Sequence, residues 1–259
     1  MPIRRWPSTS STTGNRVKAF LLGLLLTLFA NAAVAEVNAE RYDAFWLWSG
    51  VQPQAVLARA KTLYILQGQV ELAPREQGGA VRFLAQGISV PRLAKHPGEI
   101  WLTYRAHTLD WPPEAYAVLL SQLRRWQVAG NPVVGVQIDF DARTRELDRY
   151  VQFLQGLRQR LPAGYRLSVT GLLDWAPNAD PGVLNQLAGT VDEIVIQTYQ
   201  GRHSIANYAA YLPATQRLRL PFKIGLVQHG DWQAPDYLEA LPLFRGYVVF
   251  LLNAPASRH

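Results

Sequence analysis

The sequence contains no cysteine and only one methionine among its 259 residues. The absence of cysteine excludes a disulfide scaffold, a thiolate metal site and a cysteine nucleophile. The sequence also lacks a GxSxG nucleophile elbow, an HExxH zinc motif and a GxGxxG run after its first predicted strand. Charged residues make up only 17% of the chain, whereas 49% is hydrophobic, which is enough to form a sizeable core.

Positive charge is concentrated at the N-terminus. The formal net charge is +7, but residues 1–35 carry four basic residues and no acidic one. The remaining 22 basic and 19 acidic residues give a net charge of +3. Because no basic stripe or nucleic-acid motif remains, the sequence does not predict a nucleic-acid partner.

Residues 1–35 have the pattern of a secretory signal peptide. A polar, basic segment precedes the 12-residue apolar run AFLLGLLLTLFA, and Ala33-Val34-Ala35 offers a cleavage site. A membrane span needs roughly 20 apolar residues, so this shorter run favours a signal peptide. An uncleaved membrane anchor is the alternative. The sequence thus predicts an exported protein, periplasmic or secreted, with residues 36–259 as its single domain.

Eight short apolar runs with strand-like composition alternate with helical or irregular segments. Two of the connections have clear helical periodicity, at 112–126 and 144–161, and weaker helices fit 53–60, 205–218 and 235–243. The return at 71–98 is rich in proline and glycine and is expected to be irregular. This alternation predicts a compact (β/α)8 TIM barrel, with an open doubly wound sheet as the alternative. The predicted strands are 43–49, 62–70, 99–107, 132–141, 165–173, 192–200, 222–229 and 246–253.

The fourth strand, GVQIDFD (135–141), has one apolar face and one polar face. Gln137, Asp139 and Asp141 alternate along the polar face, which would point them toward the mouth of a barrel. Two neighbouring carboxyls suit acid–base chemistry, because repulsion keeps one protonated while the other stays ionised. A structural alternative is that Asp141 caps the following helix or pairs with Arg143.

Other strand ends add an amide, a phenol and several indoles. Gln197 and Tyr199 share one face of the sixth strand, and four tryptophans lie at or just after strand ends. Flat aromatic rings around a barrel mouth favour a saccharide ligand, since sugar rings pack their C–H faces on them. The four tryptophans are Trp48, Trp111, Trp175 and Trp232.

The runs GVQIDFDARTRELDRYVQFLQGLRQRLP, LSVTGLLDW and VDEIVIQTYQG resemble the bacterial domain of unknown function 3142, over roughly Tyr42 to Trp232. That resemblance implies a barrel like those of glycoside hydrolases. More distantly, the fourth strand is similar to the DxxDxDxE motif of glycoside hydrolase family 18, the chitinase-like barrels. In that comparison Asp139 matches the last Asp, and Asp141 stands in place of the acidic Glu.

The same comparison matches Tyr199 to the tyrosine of the family's Met-x-Tyr-Asp motif. Gln137 and Gln197 replace the middle Asp and the Met, and the eighth strand ends in Asn253. An Asp side chain is one methylene shorter than Glu, which sets its carboxyl back by roughly 1.5 Å. A misplacement of about 1 Å can lower the reaction rate by about 100-fold.

Together these features predict a glycosidase that acts on a cell-envelope or extracellular polysaccharide without a metal or cofactor. Two alternatives are a non-catalytic saccharide-binding barrel or envelope partner protein, and a structural barrel whose carboxylates form ion pairs. The predicted roles are Asp141 as proton donor, Asp139 as electrostatic stabiliser, Tyr199 and Gln197 as sugar-orienting residues, Gln137 and Asn253 as further binding residues, and Trp48, Trp175 and Trp232 as stacking platforms.

Overall fold

The computed structural model of the protein describes residues 35–89 and 98–253. The predicted signal peptide therefore lies outside the described residues, apart from Ala35 at its end. No helix within the described ranges is long and apolar enough to span a membrane.

Eight parallel strands form a closed barrel. Each strand pairs with the next along the chain, and the eighth pairs with the first, at Val249–Phe45 and Phe250–Trp46. This closure confirms the predicted (β/α)8 barrel and excludes the open sheet. The strands, numbered in barrel order, are β1 (Ala44–Leu47), β2 (Thr62–Leu72), β3 (Glu99–Ala106), β4 (Val133–Asp139), β5 (Arg166–Leu172), β6 (Glu193–Gln197), β7 (Phe222–Val227) and β8 (Phe244–Phe250).

Two long helices follow β3 and β4, as predicted: α1 (Pro113–Val128) and α2 (Leu147–Arg160). Two shorter helices that the spacing did not predict, α3 (Trp175–Asn178) and α4 (Pro181–Ala188), connect β5 to β6. The weaker predicted helices are 3-10 segments, because these connections are short and contain proline. The 3-10 segments are Ala39–Arg41, Ala55–Arg59, Arg75–Gln77, Thr144–Glu146, Tyr208–Ala210, Leu212–Arg217 and Leu238–Ala240.

The segment expected to be an irregular return contains a strand. Val81–Ala85 pairs antiparallel with the far end of β2, at Gly68 to Leu72. The reason is that β2 is longer than β1, so its end has an open edge that the hairpin covers. Two short ribbons lie outside the barrel sheet and pair Ala35–Glu36 with Asp231–Trp232 and Tyr199–Gln200 with His203–Ser204.

The core has two layers because strand side chains alternate between the two faces of the barrel wall. In the outer layer, apolar strand residues pack against buried residues of the helices. Leu119, Leu123 and Trp126 are the residues that α1 contributes to this layer. The inner cluster is small and aromatic, and polar residues fill the rest of the interior. The inner apolar cluster consists of Ala44, Trp46, Tyr64, Trp101, Val195 and Val248.

Candidate functional site

A cavity of about 900 Å³ opens at the carboxyl ends of the barrel strands, where the loops that follow them meet. Its lining comes from strand ends or loops at β1, β3, β4, β5, β6 and β8. The fold therefore brings five of the nine sequence-predicted site residues to one place: Asp139, Asp141, Gln197, Tyr199 and Trp48.

Asp139 and Asp141 are joined by one arginine at the base of this cavity. Arg105 places Nη1 at 3.7 Å from Asp139 Oδ2 and Nη2 at 3.4 Å from Asp141 Oδ2. The two carboxyls differ in exposure, since the Asp139 side chain is 5% exposed and that of Asp141 is 59% exposed. Asp139 is thus the buried member of the pair, and Asp141 is the member that a ligand can reach.

Burial raises the pKa of Asp139 above its ordinary value. The guanidinium of Arg105 and the hydroxyl of Thr170, which donates to Asp139 Oδ1 at 2.8 Å, act against this shift. The negative charge of Asp141 adds to it. Asp139 is therefore a buried carboxyl whose surroundings, on balance, favour its protonated form.

Tyr199 lies half-buried on the same wall, hydrogen-bonded to the side chain of Gln197. Burial, followed by the charges of Asp139 and Asp141, raises its pKa well above the ordinary value of tyrosine. The phenol consequently stays neutral and can donate or accept a hydrogen bond beside the two carboxyls.

Arg105 is a site residue that the sequence analysis missed. It lies opposite Asp139 in the parallel pairing of β3 with β4, so both side chains point to the same side of the sheet. A signal was present, because an arginine near the end of the apolar run EIWLTYRA has no place in a core without a carboxylate partner.

Three further charged residues line the cavity and were also missed: Arg143, Asp174 and Arg202. Asp174 follows β5, its pKa is raised by burial, and its Oδ1 is buried without a hydrogen-bond partner in the described structure. Arg202 is at the tip of the hairpin after β6, where Gly201 has a φ of 60°. Glycine readily adopts that conformation at the first central position of a two-residue hairpin loop.

Gln137 does not line the cavity. It is fully buried inside the barrel, where Oε1 accepts from Trp46 Nε1 at 2.6 Å and Nε2 donates to Ser168 Oγ at 2.9 Å. Thr103 Oγ1 also donates to its Oε1, at 3.4 Å. The residue connects strands and is buried away from the cavity, contrary to its predicted binding role.

Of the three tryptophans predicted as stacking platforms, only one lines the cavity. Trp48 lines the cavity, with its ring 5.4 Å from the Arg105 guanidinium carbon and 5.6 Å from the Phe250 ring. Trp175 is buried under the barrel wall, where Nε1 donates to Ala142 O at 2.7 Å. Trp232 is likewise buried, with its ring 4.9 Å from that of Tyr208. Neither buried ring has a face free for a sugar, so neither can serve as a stacking platform.

Asn253 holds a loop together. Its Oδ1 accepts from Gln52 N at 2.6 Å and its Nδ2 donates to Gly50 O at 2.7 Å. Both polar atoms therefore bind the loop that follows β1 and carries one rim of the site. Asn253 does not line the cavity, so its side chain holds the loop and does not take the predicted place in the substrate site.

The capping alternative for Asp141 has no counterpart in the structure. The 3-10 segment after β4 begins at Thr144, and Glu146 Oε2 accepts from Arg143 N at 3.3 Å at its start. The same alternative expected Asp141 to pair with Arg143. Asp141 does pair with an arginine, but that arginine is Arg105. Within residues 35–89 and 98–253, no three His, Asp or Glu side chains converge on a possible metal position.

Comparison with known families gives one match. Residues 107–218 match the family model of a domain of unknown function, DUF3142. The DUF3142 match begins just after β3 and includes β4, β5, β6 and the loops that carry the acidic part of the cavity. It confirms the resemblance stated above, over a shorter stretch. No curated protein matches the sequence.

Two solved structures are similar to the chain. One is the Bacillus cereus spore cortex-lytic enzyme SleL, at 15% identity and a TM-score of 0.43, over 71% of this chain and 49% of that chain. The other is the chitinase domain of the spore coat protein CotE from Clostridium difficile, at 12% identity and a TM-score of 0.45, over 77% and 67%. This chain thus spans about half the length of SleL.

Proposed function

We propose that this protein is an exported glycoside hydrolase that cleaves a cell-envelope or extracellular polysaccharide. The observation that carries the proposal is the carboxyl pair of Asp139 and Asp141, which Arg105 holds together in a cavity that also has an aromatic wall. Cleavage of a glycosidic bond needs one carboxyl to protonate the leaving oxygen and another to stabilise positive charge on the sugar.

Asp141 is the proton donor in this mechanism. Its side chain is 59% exposed toward the cavity, so it is the member of the pair that a glycosidic oxygen can approach. A bound saccharide replaces water around the carboxyl and brings the glycosidic oxygen within reach of its proton. The proton passes to the oxygen of the breaking bond, and the negative charge left on Asp141 faces Arg105.

Asp139 acts from below as the electrostatic partner. It is fixed by Thr170 and Arg105, so its orientation is set before a substrate binds. Tyr199 and Gln197 offer a neutral hydroxyl and an amide to the sugar hydroxyls, and Trp48 offers an aromatic surface at the rim. Water then bonds to the anomeric carbon of the sugar cation and gives a proton to the Asp141 carboxylate, which restores the acid.

Turnover of Asp141→Asn tests the proposal. We expect the full-length protein to release new reducing ends from at least one member of a polysaccharide panel, as detected by mass spectrometry. The variant should lose at least about 100-fold of that rate, which is the usual contribution of a general acid, while it still binds the saccharide. Asp110→Asn is the matched control, because Asp110 is an exposed carboxylate that pairs with Arg149 outside the cavity. Unchanged turnover in Asp141→Asn would overturn the assignment.

A non-catalytic saccharide-binding barrel is the second candidate. One observation favours it: Asp141 forms an ion pair with Arg105, and a carboxylate in an ion pair carries no proton to donate. This candidate predicts glycan retention in a pull-down without any product, to the same extent in the parent protein and in Asp141→Asn.

A further inference from the structure

Three guanidinium groups border the cavity. Arg105 is at the end of β3, Arg143 is in the loop after β4, and Arg202 is in the hairpin after β6. Arg105 is occupied by Asp139 and Asp141. Within the described part of the chain, neither Arg143 nor Arg202 forms an ion pair with a carboxylate.

Arg143 and Arg202 lie on one side of the cavity. Strands β4, β5 and β6 are consecutive in the barrel, so the loops that carry the two arginines flank the β5 loop with Asp174. Arg202 donates from Nη2 to Asn253 O at 3.3 Å, which leaves its other N–H groups for a ligand. Burial raises the pKa of Asp174, which weakens the countercharge that this carboxyl can supply.

The side formed by β1 and β8 is apolar. Trp48, Phe250 and Leu252 line it, with the rings of Trp48 and Phe250 in edge-to-face contact at 5.6 Å. A sugar ring that places its C–H face on this wall turns its substituents toward the arginines. A negatively charged substituent would meet the two unpaired guanidiniums there.

We propose that the cavity is specific for an acidic saccharide, with carboxylate or phosphate groups that Arg143 and Arg202 bind. Guanidinium matches both kinds of oxyanion through paired N–H donors. A neutral saccharide would cover the two cations without offering them an anion, and the desolvation would disfavour it. This inference rests on the proposed saccharide site and adds the class of ligand that the site takes.

The test measures affinity by calorimetry with the full-length protein. The acidic probes are uronate oligomers of several sugars and a glycerol phosphate polymer, and the neutral probes are galactan and mannan oligomers of matched length. We expect at least one acidic probe to bind roughly 10-fold or more tightly than every neutral one, with an affinity that falls in high salt. Preference for the uronates or for the phosphate polymer then identifies which anion the arginines take.

Two charge-removing variants locate the effect. Arg143→Gln and Arg202→Gln should each weaken binding of the preferred acidic probe by about 5- to 10-fold. Neither variant should weaken the binding of neutral oligomers, because each removes a cation that those oligomers would desolvate. Arg217→Gln is the matched control, since Arg217 is an exposed arginine that does not line the cavity. Equal affinity for acidic and neutral probes, no binding of any acidic probe, or unchanged affinity in both variants would overturn the proposal.

These results separate the inference from the proposed hydrolysis. Cleavage of a neutral polysaccharide at the same rate in both arginine variants would refute the acidic specificity and leave a glycosidase. Acidic binding that depends on Arg143 and Arg202 without any cleavage would support the specificity and refute the turnover.

Discussion

At the scale of single residues, Asp139 shows how a functional position conflicts with stability. Its carboxyl is almost fully buried, and three neighbours favour its charged form: Arg105, Thr170 and, least, His107. Burial still dominates, so the pKa in the folded protein lies above the ordinary value. A carboxyl retained in such surroundings lowers the stability of the fold at neutral pH, which a purely structural residue would not be expected to do.

The sign of this effect leads to a prediction for Asp139→Asn. Because the folded state binds the proton more tightly than the unfolded chain, stability is lost as the pH rises from the unfolded pKa, about 3.9, through the folded one. The amide cannot ionise, so at pH 8 the variant should be as stable as the parent or more stable by about 1 kcal/mol. Urea unfolding at pH 4 and pH 8 measures this difference.

Asp141→Asn is the control for that experiment, and we expect its free energy of unfolding to stay within about 1 kcal/mol because the Asp141–Arg105 pair is exposed. A loss of several kcal/mol in Asp139→Asn at both pH values would contradict the prediction. It would favour instead the structural barrel, in which Asp139 holds the fold together through its ion pair.

At the scale of elements, the eight barrel strands could be predicted because each is a compact apolar run with turn residues at its ends. The connections were harder to predict. Helix α4 begins at Pro181, and its N-cap Asp180 accepts from Gly182 N and Val183 N. The helix has only eight residues, too few for a clear helical period of apolar residues in the sequence. The strand Val81–Ala85 depends on the free edge of β2, which only the folded sheet reveals.

The alternation along β4 placed Gln137 and Asp139 on the interior face, as the structure has them, but it does not give depth. Gln137 lies fully buried among β1, β3 and β5, whereas Asp139 reaches the cavity. The strand pattern was therefore sufficient to find the polar face. It could not distinguish a residue that fills the barrel interior from one that lines the cavity. An arginine at the end of β3 signals a carboxylate partner, but the identity of that partner depends on the register of β3 against β4, which no single strand contains.

This difference in depth leads to a prediction for Gln137→Leu. The change leaves Trp46 Nε1 without its acceptor and removes the acceptor of the Thr103 hydroxyl, both inside the barrel. We expect the free energy of unfolding to fall by about 2 to 4 kcal/mol. Urea unfolding measures it, with Gln152→Leu on the exposed face of α2 as the matched control. A loss below about 1 kcal/mol, no greater than that of the control, would show that Gln137 does not hold the strands together.

At the scale of the whole molecule, barrel closure and the site depend on the same side chain. Trp46 fills the interior where β8 meets β1, and its ring lies 6.3 Å from that of Tyr199 and 6.0 Å from that of Tyr64. Eight βα units in a compact chain favour a barrel that closes. They do not predict which interior side chain occupies the centre, because that depends on how eight strands share one volume.

The space for Trp46 comes from Gly225 on β7. A Cβ atom at this position would lie 2.7 and 2.8 Å from two carbons of the Trp46 ring, which is closer than van der Waals contact. Gly225→Ala should therefore displace the ring from its place under Tyr199 or push β7 outward. We expect a loss of about 1 to 3 kcal/mol in the free energy of unfolding, together with a change in the near-ultraviolet circular dichroism of the indole. Gly189→Ala is the matched control, since its added Cβ would meet nothing nearer than 3.7 Å. If Gly225→Ala behaved like this control in both measurements, the barrel interior would not be close-packed around Trp46, and Trp46 could not be what supports Tyr199 from below.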